Sequence, residues 1–190
     1  MQNTITLNFF SFNCRWVDYL KVFKCKICQE GYLGDAPPTH CPFCGAHQQY
    51  MIEAEEFELP IYTLTDVSRQ NLEEALDLEL GNAEFYFCAA AMADNVADAT
   101  MFKRLAKVES EHASTIVKEL KKQSPDISRD RDMCSNMNRD NLMESNQRET
   151  NAIVHYTRFL GEATEERIKE IFTSIIEIEK DHLSLTDGRF

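Results

Sequence analysis

Four cysteines fall in two pairs, Cys25-x2-Cys28 and Cys41-x2-Cys44, with twelve residues between the pairs. Two residues between cysteines let one turn present both sulfurs to one ion. Two such knuckles close a tetrahedral four-sulfur site that suits zinc or iron. A structural zinc ribbon and a one-electron iron site share this pattern. Four glutamates and two histidines form a second set: Glu79, Glu109-x-x-His112, Glu149 and Glu179-x-x-His182. Glu79 precedes Glu109 by 30 residues, and Glu149 precedes Glu179 by the same 30. Tyr86 and Tyr156 each follow the first glutamate of their pair by seven. On a helix, Glu-x-x-His places carboxylate and imidazole on one face, one turn apart.

These polar residues interrupt apolar stripes. Phe102, Leu105, Ala106, Ile116 and Leu120 surround the first Glu-x-x-His at helical spacing, and Ile168, Ile171, Phe172 and Ile175 lead into the second. Burying even one unpaired carboxylate costs several kcal/mol. Four carboxylates carry four negative charges, and two divalent ions cancel them. Oxygen and nitrogen donors suit iron or manganese better than a thiolate-preferring ion. The six residues therefore predict a two-metal centre built from two similar helix pairs.

The elements that must carry these sites divide near residue 60. The 190-residue chain has 6 glycines and 5 prolines, most of them in the cysteine-rich stretch. After Pro60 the only proline is Pro125. A turn-rich module thus precedes a helical body, with 53–60 as an acidic linker. Four helices are predicted over about 66–94, 98–123, 139–160 and 164–185. Gly161 is read as the C-terminal cap of the third, and Gly81 as a mark of close packing near Glu79. The polar stretch 124–138 is long enough to run the length of a helix, which predicts a bundle with one long crossover. Residues 1–20 match neither half and are read as an N-terminal extension.

Composition excludes several functions. A net charge of −12, from 32 acids against 20 bases, disfavours nucleic acid. No run of about 18 apolar residues spans a membrane. The opening stretch lacks a basic n-region, so no signal peptide is expected and a cytoplasmic location is. There, cysteines serve as metal ligands or buried thiols, and Cys14, Cys88 and Cys134 are expected to be unpaired. Cys88 is read as a small buried hydrophobe. His155 is expected to be a non-ligand. His40 and His47 flank the second knuckle and are expected to be exposed. Glu111 and Asp181 each precede a ligand histidine and are expected at the surface.

Glu79, Glu109-x-x-His112, Glu149 and Glu179-x-x-His182 resemble the diiron ligands of the ferritin-like family. The segment 25–45, with Gly34, Pro38 and Cys41-Pro42-Phe43-Cys44-Gly45, resembles rubredoxin. Together, over about residues 22–187, they resemble rubrerythrin in inverted order, as in the reverse rubrerythrins. The resemblance implies a mainly α fold: a small rubredoxin-like β/knuckle metal module over 21–58, then a ferritin-like four-helix bundle over 59–190. It implies a cytoplasmic non-haem diiron peroxidase of oxidative-stress defence, an oxidoreductase that reduces hydrogen peroxide to water. Electrons would reach the bundle through the rubredoxin-like iron, from an NAD(P)H-linked reductase or a rubredoxin. About three iron ions per chain are implied, one at the cysteines and two in the bundle, with zinc possible at the cysteines. Glu109 and Glu179 would bridge the metals. Glu79, Glu149, His112 and His182 would be terminal ligands, and Tyr86 and Tyr156 would hydrogen-bond carboxylates.

The chain departs from the family in two places: Gln29 stands where a knuckle glycine is usual, and Ala152 and Ile153 occupy the turn where an extra glutamate is typical. The second departure leaves a symmetric site and keeps open a ferroxidase or oxygen-reducing diiron oxidase. A zinc-ribbon structural or regulatory protein is the reading outside catalysis. A homodimer paired head to tail is also expected. Helices of about 25 residues are about 38 Å long, and the module hangs from one end, which is expected to leave it far from its own mid-helix site.

Overall fold

The computed structural model of the chain describes residues 20–190. The expected extension, Leu20 apart, and Cys14 lie outside the described residues. Strand β1 (Lys21–Cys25) is central in a three-stranded antiparallel sheet, with β2 (Gly31–Gly34) on one side and β3 (Met51–Glu53) on the other. Four helices follow: α1 (Asp66–Met92), α2 (Val96–Leu120), α3 (Asn138–Glu162) and α4 (Glu166–Thr186). Their starts are set locally. The Thr65 hydroxyl accepts from Ser68 N, and the Asn95 side chain accepts from Asp98 N. Lys121, in the left-handed region at φ 54°, stops α2.

α1 packs on α2 and α3 on α4, and the polar segment 121–137 crosses over between the two hairpins. The sides of the bundle bury two apolar clusters. One holds Leu72, Ile116, Phe159, Ile168 and Phe172. The other holds Phe85, Tyr86, Phe102, Leu105 and Leu142. The carboxylate–histidine set lies on the same four helices, buried with them. Beyond the bundle, Phe23, Ile27, Tyr50, Met51 and the four knuckle cysteines form a third cluster with Val108 of α2 and Ile178 of α4. No described helix is long and apolar enough to cross a membrane.

Three local expectations are corrected. Gly161 lies inside α3, whose cap is Ala163. A side chain at Gly81 would meet nothing within 4 Å among the described residues, so this glycine marks no close approach. Cys88 and Cys134 are joined in a disulfide across 46 residues of sequence, with Cα atoms 5.8 Å apart. The crossover folds back so that its 3₁₀ turn (Arg131–Met133) lies against α1, an encounter that no local pattern announces. In the chain-entropy view, a loop of this length makes the bridge worth about 2–4 kcal/mol. Cys134→Ser should therefore lower unfolding stability by about that amount in guanidinium titrations without reductant. The difference should vanish once the wild type is reduced; an equal midpoint without reductant would refute the bridge.

Candidate metal centres

The two knuckles are built alike. Gln29 N donates to Cys25 O and Gly45 N to Cys41 O, both at 3.0 Å. Gln29 and Gly45 both sit at positive φ, 68° and 82°. Gln29 thus adopts the left-handed geometry that glycine takes without cost, at an expense of about 1–2 kcal/mol. Gly45 is fixed by packing as well, since a Cβ there would come within 3.1 Å of Ile178. The sulfurs of Cys25 and Cys44 lie 3.8 Å apart, and those of Cys28 and Cys41 3.7 Å apart. A tetrahedron with metal–sulfur bonds of about 2.3 Å has edges of about 3.8 Å. All four cysteines are free and buried. Hydrogen bonding to Cys25, reinforced by burial, pushes the thiols of Cys28 and Cys44 up.

The structure brings all six bundle residues together, and it groups them in two overlapping sets. Glu79, Glu109, His112 and Glu179 form one; Glu109, Glu149, Glu179 and His182 form the other. Glu109 and Glu179 belong to both. His112 Nδ1 lies 3.1 Å from Glu109 Oε2, 3.4 Å from Glu179 Oε1 and 3.6 Å from Glu79 Oε2. His182 Nδ1 lies 3.0 Å from both Glu109 Oε1 and Glu179 Oε2, and 3.8 Å from Glu149 Oε1. Every carboxylate keeps one buried oxygen without a well-aligned donor: Glu79 Oε2, Glu109 Oε1, Glu149 Oε2 and Glu179 Oε1. Four such oxygens around two imidazoles fit a pair of divalent ions.

Charge and burial tell the same story. Burial pushes the carboxyls of Glu79 and Glu149 well above their ordinary range, and repulsion from Glu109 and Glu179 respectively adds to it. Burial and mutual repulsion also act on Glu109 and Glu179, but the two imidazoles outweigh them and hold both low. Burial opposes charge on His112 and His182, yet the surrounding carboxylates push both well up. The set is thus held together by protons that metal ions would replace. Tyr86 OH donates to Glu149 and lies 2.9 Å from Ser145 Oγ, while Tyr156 OH donates to Glu79. Burial keeps both phenols protonated. His155 instead meets Glu74 at 3.0 Å, away from the site.

Residues 70–187 match the family model described as Rubrerythrin. The chain belongs to the rubrerythrin family. Among curated proteins, Reverse rubrerythrin-1 of Clostridium acetobutylicum is 31% identical over 109 residues, covering 50% of this chain and 59% of the relative. The match therefore spans less than two thirds of that relative's length. No solved structure matches. With its four-cysteine module ahead of the bundle, this rubrerythrin is of the reverse type, and its two donor sets are those of an iron-binding protein.

Within this rubrerythrin the two centres touch. The Cys44 carbonyl lies 2.9 Å from His112 Nε2. With the proton on Nε2 for that bond, Nδ1 is left with its lone pair toward the carboxylates, the tautomer a metal ligand needs. Cations hold the rest of the module by its carbonyls. Lys118 Nζ donates to Cys28 O at 2.8 Å, Arg167 donates to Ile27 O at 2.8 Å, and Arg104 donates to Pro42 O. Arg167 also pairs with Glu119 at 2.9 Å, nearly buried, and Tyr62 donates to Glu119. None of these docking residues was legible in advance, because each is an ordinary charge on a helix until the module arrives. The premise that the module lies far from its own bundle site is corrected: the chain folds it onto the middle of α2 and α4, and distance no longer calls for a partner.

Proposed function

We propose that this rubrerythrin is a peroxidase that reduces hydrogen peroxide to water, H2O2 + 2e⁻ + 2H⁺ → 2H2O. The observation that carries the reading is the Cys44–His112 hydrogen bond, which joins a ligand of the one-ion site to a ligand of the two-ion site. Iron held by the six bundle residues would supply the two electrons for O–O cleavage, and iron held by the four cysteines would restore them singly. The residues' own part is to fix that geometry. Glu109 and Glu179, shared by both donor sets, would hold both ions, while Glu79 and Glu149 are steadied by Tyr156 and Tyr86. His112 is oriented by the Cys44 carbonyl. The buried walls exclude bulk water.

The electron source in this proposal is an NAD(P)H-linked reductase or a rubredoxin, in the cytoplasm. A homodimer is part of the proposal, with each protomer's relay complete in itself. The oxidase reading has one observation in its favour: Ala152 is fully buried where an added carboxylate would break the symmetry of the site. Stopped-flow mixing of the reduced, iron-loaded protein with each oxidant decides between them. Peroxide should reoxidise it at least about tenfold faster than dioxygen at equal concentration. Faster reaction with dioxygen would overturn the peroxidase assignment, and a colourless protein holding zinc at the cysteines would overturn the relay.

A further inference from the structure

The second knuckle carries more than its two cysteines. His40 and His47 flank it, and an isolated antiparallel bridge pairs them directly. Their rings meet edge to face with centroids 4.9 Å apart. Both turn the same nitrogen toward one carboxylate oxygen from α4: His47 Nε2 lies 2.6 Å and His40 Nε2 3.6 Å from Asp181 Oδ2. One donor atom from each of the three lies within 4.8 Å of the others. The opposite nitrogens face second partners. His40 Nδ1 is 3.2 Å from Thr39 Oγ1, and His47 Nδ1 is 3.9 Å from Glu177 Oε2, which Gln49 steadies at 3.2 Å.

We propose that His40, His47 and Asp181 form a third metal site, open to solvent, that takes a borderline divalent cation of the zinc class. Two imidazoles and one carboxylate are a donor set for such ions. Tetrahedral ligation at about 2.0–2.1 Å needs donors about 3.3 Å apart, and the 2.6 and 3.6 Å separations bracket that value. At 3.6 Å the His40 nitrogen is too far from Asp181 for a hydrogen bond, so an ion pair uses only one of the two rings. Thr39 Oγ1, 3.2 Å from His40 Nδ1, orients that ring in the way that metal-binding histidines are oriented. His40 adjoins Cys41 and Asp181 adjoins His182 in the chain, so an ion here ties the shoulder of one buried centre to the shoulder of the other. About half of the His40 and Asp181 side chains is exposed, which makes the site exchangeable and leaves a fourth position for water.

The test uses the iron-loaded full-length protein, so that the buried centres are already filled. Calorimetric titration with Zn2+ should show about one further equivalent per chain, while the visible absorbance of the four-cysteine iron stays unchanged. His40→Gln and His47→Gln, singly, should each weaken that binding at least about tenfold, and Asp181→Asn should do the same. The retained absorbance shows that each variant is folded. A zinc-edge anomalous peak between the two rings would place the ion. Absence of the added equivalent, or its survival in the His40→Gln/His47→Gln double variant, would overturn the site.

Discussion

Glu109→Ala should lower peroxide turnover by more than about a hundredfold and abolish tight binding of both bundle ions, leaving the red four-cysteine absorbance intact. The size of the effect follows from position. Glu109 belongs to both donor sets, so its removal takes an oxygen from each ion at once. The loss is separable from misfolding. The variant also takes a carboxylate away from both imidazoles, so the metal-free protein should be less stable than the wild type at neutral pH, and iron binding is compared on folded samples that keep the red absorbance. Iron analysis and unfolding curves on the same preparation check both halves. Two bundle irons retained by the variant would show that the ligand set is wrongly drawn. Glu149→Ala should be milder, since Glu149 belongs to one set only.

Stripping the metals should make stability fall as pH rises from about 5 to 8. Glu79, Glu149, His112 and His182 all have their proton affinity raised by folding. The unfolded chain releases protons from its glutamates above about pH 4.3 and from its histidines above about pH 6.5. The folded protein keeps them, so it binds more protons than the unfolded chain across this window. Each extra proton makes stability fall by about 1.4 kcal/mol per pH unit. Glu109 and Glu179 run the other way. Their affinity is lowered, so their contribution is present above the ordinary glutamate range and is lost as pH falls through it. The metal-free protein should thus be most stable near pH 5. The loaded protein should be much flatter through neutrality, because ions stand where the protons stood. Guanidinium unfolding of chelated and loaded protein at four pH values tests this; a metal-free profile that rises toward pH 8 would defeat it.

The two ligand sets were legible because both rest on local periodicity. A cysteine knuckle is a turn of fixed length. Glu-x-x-His needs only one helical turn, and the shared 30-residue spacing within each pair needs only two hairpins of equal length. What could not be read depends on pairs far apart in the chain. The Cys88–Cys134 bridge joins a helix to a crossover whose path no pattern fixes. The His112–Cys44 bond exists because Val108 and Ile178 present an apolar seat for the module, and in the sequence those two residues look like any other core positions. Gln29 was visible as a departure. That it nevertheless adopts the left-handed turn became evident only from the backbone.

The tyrosine bonds cross between the two halves of the bundle. Tyr86 of the first hairpin serves Glu149 of the second, and Tyr156 of the second serves Glu79 of the first. A substitution at position 86 is therefore felt first at Glu149, and one at position 156 at Glu79, each in the opposite hairpin.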